Sequence, residues 1–196
     1  MKIRNNREKG FSLLESVVVI GIMMILMAIA IVQSFGSREA YQANSAMDTV
    51  VAQLRVAREL AITQRTDVQV FFVSAGATQQ VQYMVLAQPG TKEANGPLVS
   101  TSLPSQTMFM LTPSVPDTPM KFGNNAAIYI GNVSGGPAFM EFTSTGQFTD
   151  QTGFNTLNGT VFIGIPGQST TARAVTIMGG TGRVRPYSYI GNGWIE

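Results

Sequence analysis

The stretch from Phe11 to Val32 decides most of what this chain can fold into, because it is apolar apart from Ser12, Glu15 and Ser16. As a helix rising about 1.5 Å per residue it reaches roughly 33 Å, enough to cross a hydrocarbon core of about 30 Å. Basic side chains (Lys2, Arg4, Arg7, Lys9) flank it on the N-terminal side only. That asymmetry puts residues 1–10 in the cytoplasm and everything after Val32 on the far side of the membrane. Glu15 is the anomaly: a carboxylate inside a membrane helix costs about 2.5–3.5 kcal/mol on insertion scales, so such a residue usually has a partner.

An ordinary secretory signal does not fit, since its apolar region is shorter and Gln33-Ser34-Phe35-Gly36 is a poor cleavage site for it. A simple signal anchor fits the hydropathy but leaves Glu15 unexplained. The run Lys9-Gly10-Phe11-Ser12-Leu13-Leu14-Glu15 resembles the class III leader of type IV pilins and type II secretion pseudopilins. The resemblance implies cleavage between Gly10 and Phe11 by a prepilin peptidase, N-methylation of Phe11, and retention of the apolar segment. It also implies that Glu15 acts in assembly, neutralising the terminal amine of a neighbouring subunit as that subunit leaves the inner membrane for a filament. An amine and a carboxylate, each costly in lipid alone, cost less together. A capping box is the plainer role for Ser12 and Glu15, since Ser-x-x-Glu before an apolar run satisfies free N–H groups at a helix start.

Helical periodicity continues beyond the apolar run. Ala40, Ala43, Met47, Val50, Leu54, Ala57 and Ala61 recur at steps of three and four and share one face. The opposite face carries Gln42, Ser45, Thr49, Gln53 and Glu59. With no proline before Pro89, one helix from about Phe11 to Arg65 is expected, roughly 80 Å long.

Past Arg65 the period switches to two. Val68, Val70 and Phe72 share a face, as do Val81, Tyr83 and Val85. Further strands are expected near 107–111, 126–130, 138–143, 160–165, 172–178 and 183–190. Six of the nine prolines lie between Pro89 and Pro119, so an exposed excursion over about 89–120 is expected there, with one strand near Met108–Leu111. The fold class is therefore α+β: a pilin fold in which one long N-terminal helix, membrane-spanning in its first half, packs on an antiparallel β-sheet domain. The boundaries follow: a leader over 1–10, the transmembrane and assembly half of the helix over 11–33, its exposed half over 34–66, and a periplasmic β-rich domain over 67–196.

Composition narrows function by exclusion. The chain has no cysteine and no histidine, which rules out disulfides, thiolate chemistry, the usual zinc sites and a Ser-His-Asp triad. The formal charge of +2 comes from the leader; without residues 1–10, 9 basic and 10 acidic side chains remain. No enzymatic activity, cofactor, metal or small-molecule substrate is expected.

Two further features bear on the subfamily. Leu54–Ala61 with Arg65 and Val68-Gln69-Val70, then Phe142-Thr143-Ser144-Thr145-Gly146, then Gly182-Arg183-Val184-Arg185 resemble the GspH/FimT family of minor pseudopilins and pilins. That resemblance implies a minor structural subunit of a type II secretion pseudopilus or a type IV pilus, serving protein transport or pilus function. Arg183, Arg185, Tyr187 and Tyr189 are spaced by two and share one face of an extended chain. Guanidinium groups beside aromatic rings suit single-stranded nucleic acid, and in FimT-like pilins a Gly-Arg-x-Arg segment is associated with DNA capture. DNA is therefore the alternative partner, set against arginines that merely keep an edge strand soluble. The other partners expected are the peptidase, neighbouring subunits and the inner membrane. Gly179-Gly180-Thr181-Gly182 lacks the Lys-Ser/Thr ending of a phosphate loop and reads as a turn.

Overall fold

The structure, a computed structural model, describes residues 12–76, 78–91, 93–131, 139–150 and 155–196, the side chains of 32–37 excepted. The leader with Gly10 and Phe11 lies outside these residues, as does Asn132. The described residues fall into two compact units, one ending at Arg38 and the other running Glu39–Glu196.

Helix α1, Leu13–Gln64, is a single element of 52 residues. In the first unit its stretch Leu13–Ile31 is long and apolar enough to cross a membrane. Its large side chains stand exposed, Leu13, Leu14, Val17 and Ile25 among them, an arrangement suited only to apolar surroundings.

In the second unit the helix behaves as its period requires. Ala43, Met47, Val50, Leu54, Ala57 and Ala61 are all buried, and Ala40 is half-buried. The helix stops by chain geometry rather than at a proline or glycine. Arg65 takes a left-handed conformation (φ 52), and the Thr66 amide reaches back to the Ala61 carbonyl at 3.2 Å. This is a Schellman closure, which satisfies carbonyls left over at the helix end.

Eleven strands follow among the described residues: β1 Val68–Ala75, β2 Thr78–Val85, β3 Val99–Ser102, β4 Met108–Phe109, β5 Ile128–Ile130, β6 Met140–Phe142, β7 Phe148–Thr149, β8 Gly159–Ile165, β9 Gln168–Met178, β10 Arg183–Tyr189 and β11 Trp194–Ile195. They form two sheets, a five-stranded one ordered β3-β2-β1-β6-β7 and a six-stranded one ordered β11-β10-β9-β8-β4, with β5 also on β8. Every ladder is antiparallel. The chain is thus α+β, and two sheets share the work expected of one.

One apolar cluster joins the helix stripe to both sheets. Met47, Val50, Leu54 and Ala57 meet Val68, Val70, Val81, Met140, Phe142, Phe148, Val161, Ile163, Val175, Ile177 and Val184. Alternation decides which strand residues enter it, so Phe72, Tyr83 and Val85 pack on its margin as their period of two requires.

The Pro-rich segment is exposed over residues 93–100, and in burial differs from the exposed excursion expected only beyond Ser102. It carries two strands rather than one, and much of it is folded down. Leu103, Thr107, Phe109, Thr112, Val115 and Thr118 are buried. Leu111 and Met120 pack on a second cluster of Phe162, Ala174 and Tyr187, together with Trp194, whose Nε1 donates to the Pro116 carbonyl at 2.8 Å. Prolines between such short strands remove no ladder bond, because they fall where no partner amide is needed. Asp117 supplies acceptors instead, to the amides of Thr118 (2.7 Å) and Gly123 (3.0 Å). The later part, residues 111–120, covers the outer face of the larger sheet, while Leu103 and Phe109 enter the main cluster.

Candidate functional site

Among the described residues two places stand out by their charged side chains, one in each unit. In the first unit Glu15 lies in the opening turn of α1, where a negative charge is favoured by the helix dipole. The turn starts with the Ser12 carbonyl accepting the Ser16 amide at 3.1 Å and the Ser16 hydroxyl at 3.4 Å. No hydrogen bond joins Ser12 to Glu15 among the described residues, so the reciprocal capping-box pairing is not made. Glu15 is exposed on an apolar surface, with Leu13, Leu14, Val17 and Val18 exposed around it.

In the second unit the three sequence islands beginning at Leu54, Phe142 and Gly182 converge. Residues 143–146 form a tight turn closed by the Gly146 amide on the Thr143 carbonyl at 2.7 Å. The β9–β10 turn closes with the Gly182 amide on the Met178 carbonyl at 2.7 Å, which makes Gly179–Gly182 a turn as expected. Arg58 of the helix bridges them, its Nε donating to the Gly146 carbonyl at 3.2 Å. Gly182 (φ +61) sits so tightly here that a Cβ would collide with the Gly146 carbonyl oxygen and with the Arg58 side chain, 2.8 Å away.

These elements border an open groove of about 730 Å³. Arg55, Arg58, Glu59 and Ile62 line it from the helix, at the i, i+3, i+4, i+7 spacing of one helical face. Met178, Thr181, Arg183 and Val184 line it from the β9–β10 hairpin. Arg55 and Arg183 are exposed and Arg58 is half-buried. Three guanidinium groups and a single carboxylate thus share one concavity.

Along β10 the shared face of Arg183, Arg185, Tyr187 and Tyr189 is used unevenly. Val184, on the opposite face, enters the main core. Tyr187 is only 4% exposed and belongs to the second cluster. As a stacking platform for a base it is therefore unavailable, because Leu111, Met120 and Trp194 already occupy that face of the sheet. Tyr189 packs its ring against Trp194 (5.4 Å between centroids) and donates its hydroxyl to the Gly191 carbonyl at 3.0 Å. Arg185 lies 3.4 Å from the Glu196 carboxylate. The Tyr187 hydroxyl, and then Glu196, hold its guanidinium in the charged form, which raises its pKa. Of the four, Arg183 alone lines the groove.

Arg55 and Arg58 are the residues that sequence reasoning did not place beside Arg183. Their spacing with Glu59 and Ile62 was visible, but only tertiary structure brings the β9–β10 turn onto that face. The same close approach gives a test of stability. Gly182→Ala must move the Gly146 turn or Arg58 and hold alanine at positive φ, so it should cost about 2–3 kcal/mol in chemical denaturation. Gly180→Ala, whose Cβ would meet nothing, should change the same midpoint by under about 0.5 kcal/mol. Equal effects would mean that the three-way junction is not tight.

Comparison with known proteins places the prokaryotic N-terminal methylation motif over residues 5–31. No curated protein sequence matches the chain. Among solved structures, the minor pseudopilin EpsH from the type 2 secretion system of Vibrio cholerae aligns at 15% identity and a TM-score of 0.48, over 75% of this chain and 97% of that one. The type IV minor pilin FimU of Pseudomonas aeruginosa aligns at 18% identity and a TM-score of 0.45, over 83% of this chain and 97% of that one.

Proposed function

We propose that this type IV pilin-like chain is a structural filament subunit, stored in the inner membrane until it is cut after Gly10 and methylated on Phe11. It then enters, as a minor component, the pseudopilus of a type II secretion system or a type IV pilus. The observation that carries this reading is the methylation motif over residues 5–31, whose apolar run after Phe11 holds a single carboxylate, Glu15.

Each part of the N-terminal region then has a physical task. The basic leader holds residues 1–10 on the cytoplasmic side, where a prepilin peptidase cuts. The apolar helix half keeps the subunit in lipid and later supplies the filament contact by packing against its neighbours. Glu15 meets the new amine of an adjoining subunit, and each charge lowers the cost of the other in an apolar setting. The β-rich unit stays in the periplasm.

DNA capture, the alternative, retains Arg183 with Arg55 and Arg58 as phosphate-attracting charges but loses the expected aromatic platform. It is the weaker reading for that reason.

Processing provides the test. Co-expressed with a prepilin peptidase, the wild-type chain should lose its first ten residues, whereas Gly10→Val should remain at full length. Cleavage that ignores residue 10, or no cleavage of the wild type, would contradict the proposal.

A further inference from the structure

The groove between the helix and the β9–β10 turn has a charge arrangement that internal structure does not account for. Among the described residues, no ion pair joins Arg55, Arg58 or Arg183 to a carboxylate, and Glu59 is the single acidic side chain on the lining. Arg58 spends one N–H on the Gly146 carbonyl. Among the described residues, Arg55 and Arg183 make no side-chain hydrogen bond there. Like charges gathered in one concavity repel one another, and the repulsion is relieved when an anion enters.

The rest of the lining says which anion fits. Ile62, Met178 and Val184 give the groove an apolar side, so the ligand joins a carboxylate to an apolar group. Guanidinium forks bind carboxylates in a bidentate manner. Among the described residues no aromatic ring lines the groove to stack a base, and Glu59 opposes a continuous run of phosphates. The balance favours a peptide over a nucleic acid.

We propose that this groove docks a peptide segment of a partner protein in which a Glu or Asp sits beside an apolar side chain. Arg55 and Arg183 grip the carboxylate, while Ile62 and Met178 receive the apolar neighbour. The inference goes beyond the filament reading and does not depend on it, because the groove lies wholly within the Glu39–Glu196 unit.

The test uses the full chain in nonionic detergent micelles and a fluorescent, end-blocked octapeptide holding one Glu-Leu pair among serines, followed by anisotropy. Saturable binding is expected, weakened about tenfold or more by Arg55→Gln or Arg183→Gln and less by Arg183→Lys, which keeps the charge but not the fork. Both arginines are exposed, so these variants should fold. Lys121→Gln, an exposed cation that does not line the groove, should leave binding unchanged. Four outcomes would overturn the proposal. The peptide fails to bind at low salt; a Gln-Leu peptide binds equally well; Lys121→Gln weakens binding as much as the arginine variants do; or an oligothymidylate binds more tightly through the same arginines, which would make the groove a nucleic-acid site.

Discussion

Glu15→Ala should leave the chain cut and methylated yet remove it from filaments. The carboxylate is the sole charge between Phe11 and Val32, so no neighbour on that segment can replace it. Leaving the adjoining amine unpaired in apolar surroundings costs about 3–5 kcal/mol, which corresponds to a fall of about a hundredfold or more in the assembled fraction. The measurement is the ratio of chain in sheared filaments to chain in membranes, with Glu15→Asp expected to retain part of the assembly. An alanine variant that assembles normally would reduce Glu15 to a residue that favours the helix start. A variant that is no longer cut would move its role from assembly to processing.

Phe142→Ala should be the most damaging single truncation in the second unit. Phe142 is fully buried and packs its ring 5.2 Å from that of Phe148. It lies opposite Val68 across one ladder and opposite Phe148 across the other. It also leads directly into the turn that carries Gly146. Phenylalanine-to-alanine changes in packed cores cost about 3–5 kcal/mol, against a total of about 5–15 kcal/mol for a typical protein. Urea unfolding of the full chain in micelles, followed through the lone Trp194, should show the midpoint falling steeply. A loss below about 1 kcal/mol would mean that the site collapses around the cavity and that the two-sheet core is loosely packed.

Much of the fold could be read from the sequence because two periodicities compete visibly along it. The stripe from Ala43 to Ala61 has helical spacing over many turns, and its members are buried where the period puts them. Strands with a clear alternation, such as those holding Val68-Val70-Phe72 and Val81-Tyr83-Val85, are equally plain. What could not be read has a common cause. The strand at Val99–Ser102 is largely serine and threonine, lies on a sheet edge and gains its identity from pairing with Gln80–Tyr83. The two-residue strands at Phe148 and Trp194 are too short to show any period. Proline density pointed to an exposed excursion over 89–120; residues 93–100 are exposed, yet the later part is held down by contacts distant in sequence, among them the bond from Trp194 to Pro116.

Asp67 shows the same limit at the level of one side chain. It is buried and accepts the amides of Gly90 at 2.7 Å and Ser144 at 2.9 Å, tying two distant turns to the start of β1. In the sequence it is one aspartate before a strand. The groove repeats the lesson: Arg183 stood out through its spacing along β10, whereas its helix companions Arg55 and Arg58 become part of a site only when the hairpin lands beside them. Burial of Tyr187 likewise depends on a cover drawn from residues 111–120 and 194, which no local pattern announces.

Processing at the leader and incorporation into a filament are the two halves of the proposed role. Mass analysis of its N-terminal peptide, recovered from sheared filaments, tests both halves together. The recovered chain should begin at Phe11 and carry a methyl group on that amine. A chain that begins at Met1, or one abundant in membranes but missing from the filaments, would contradict that role.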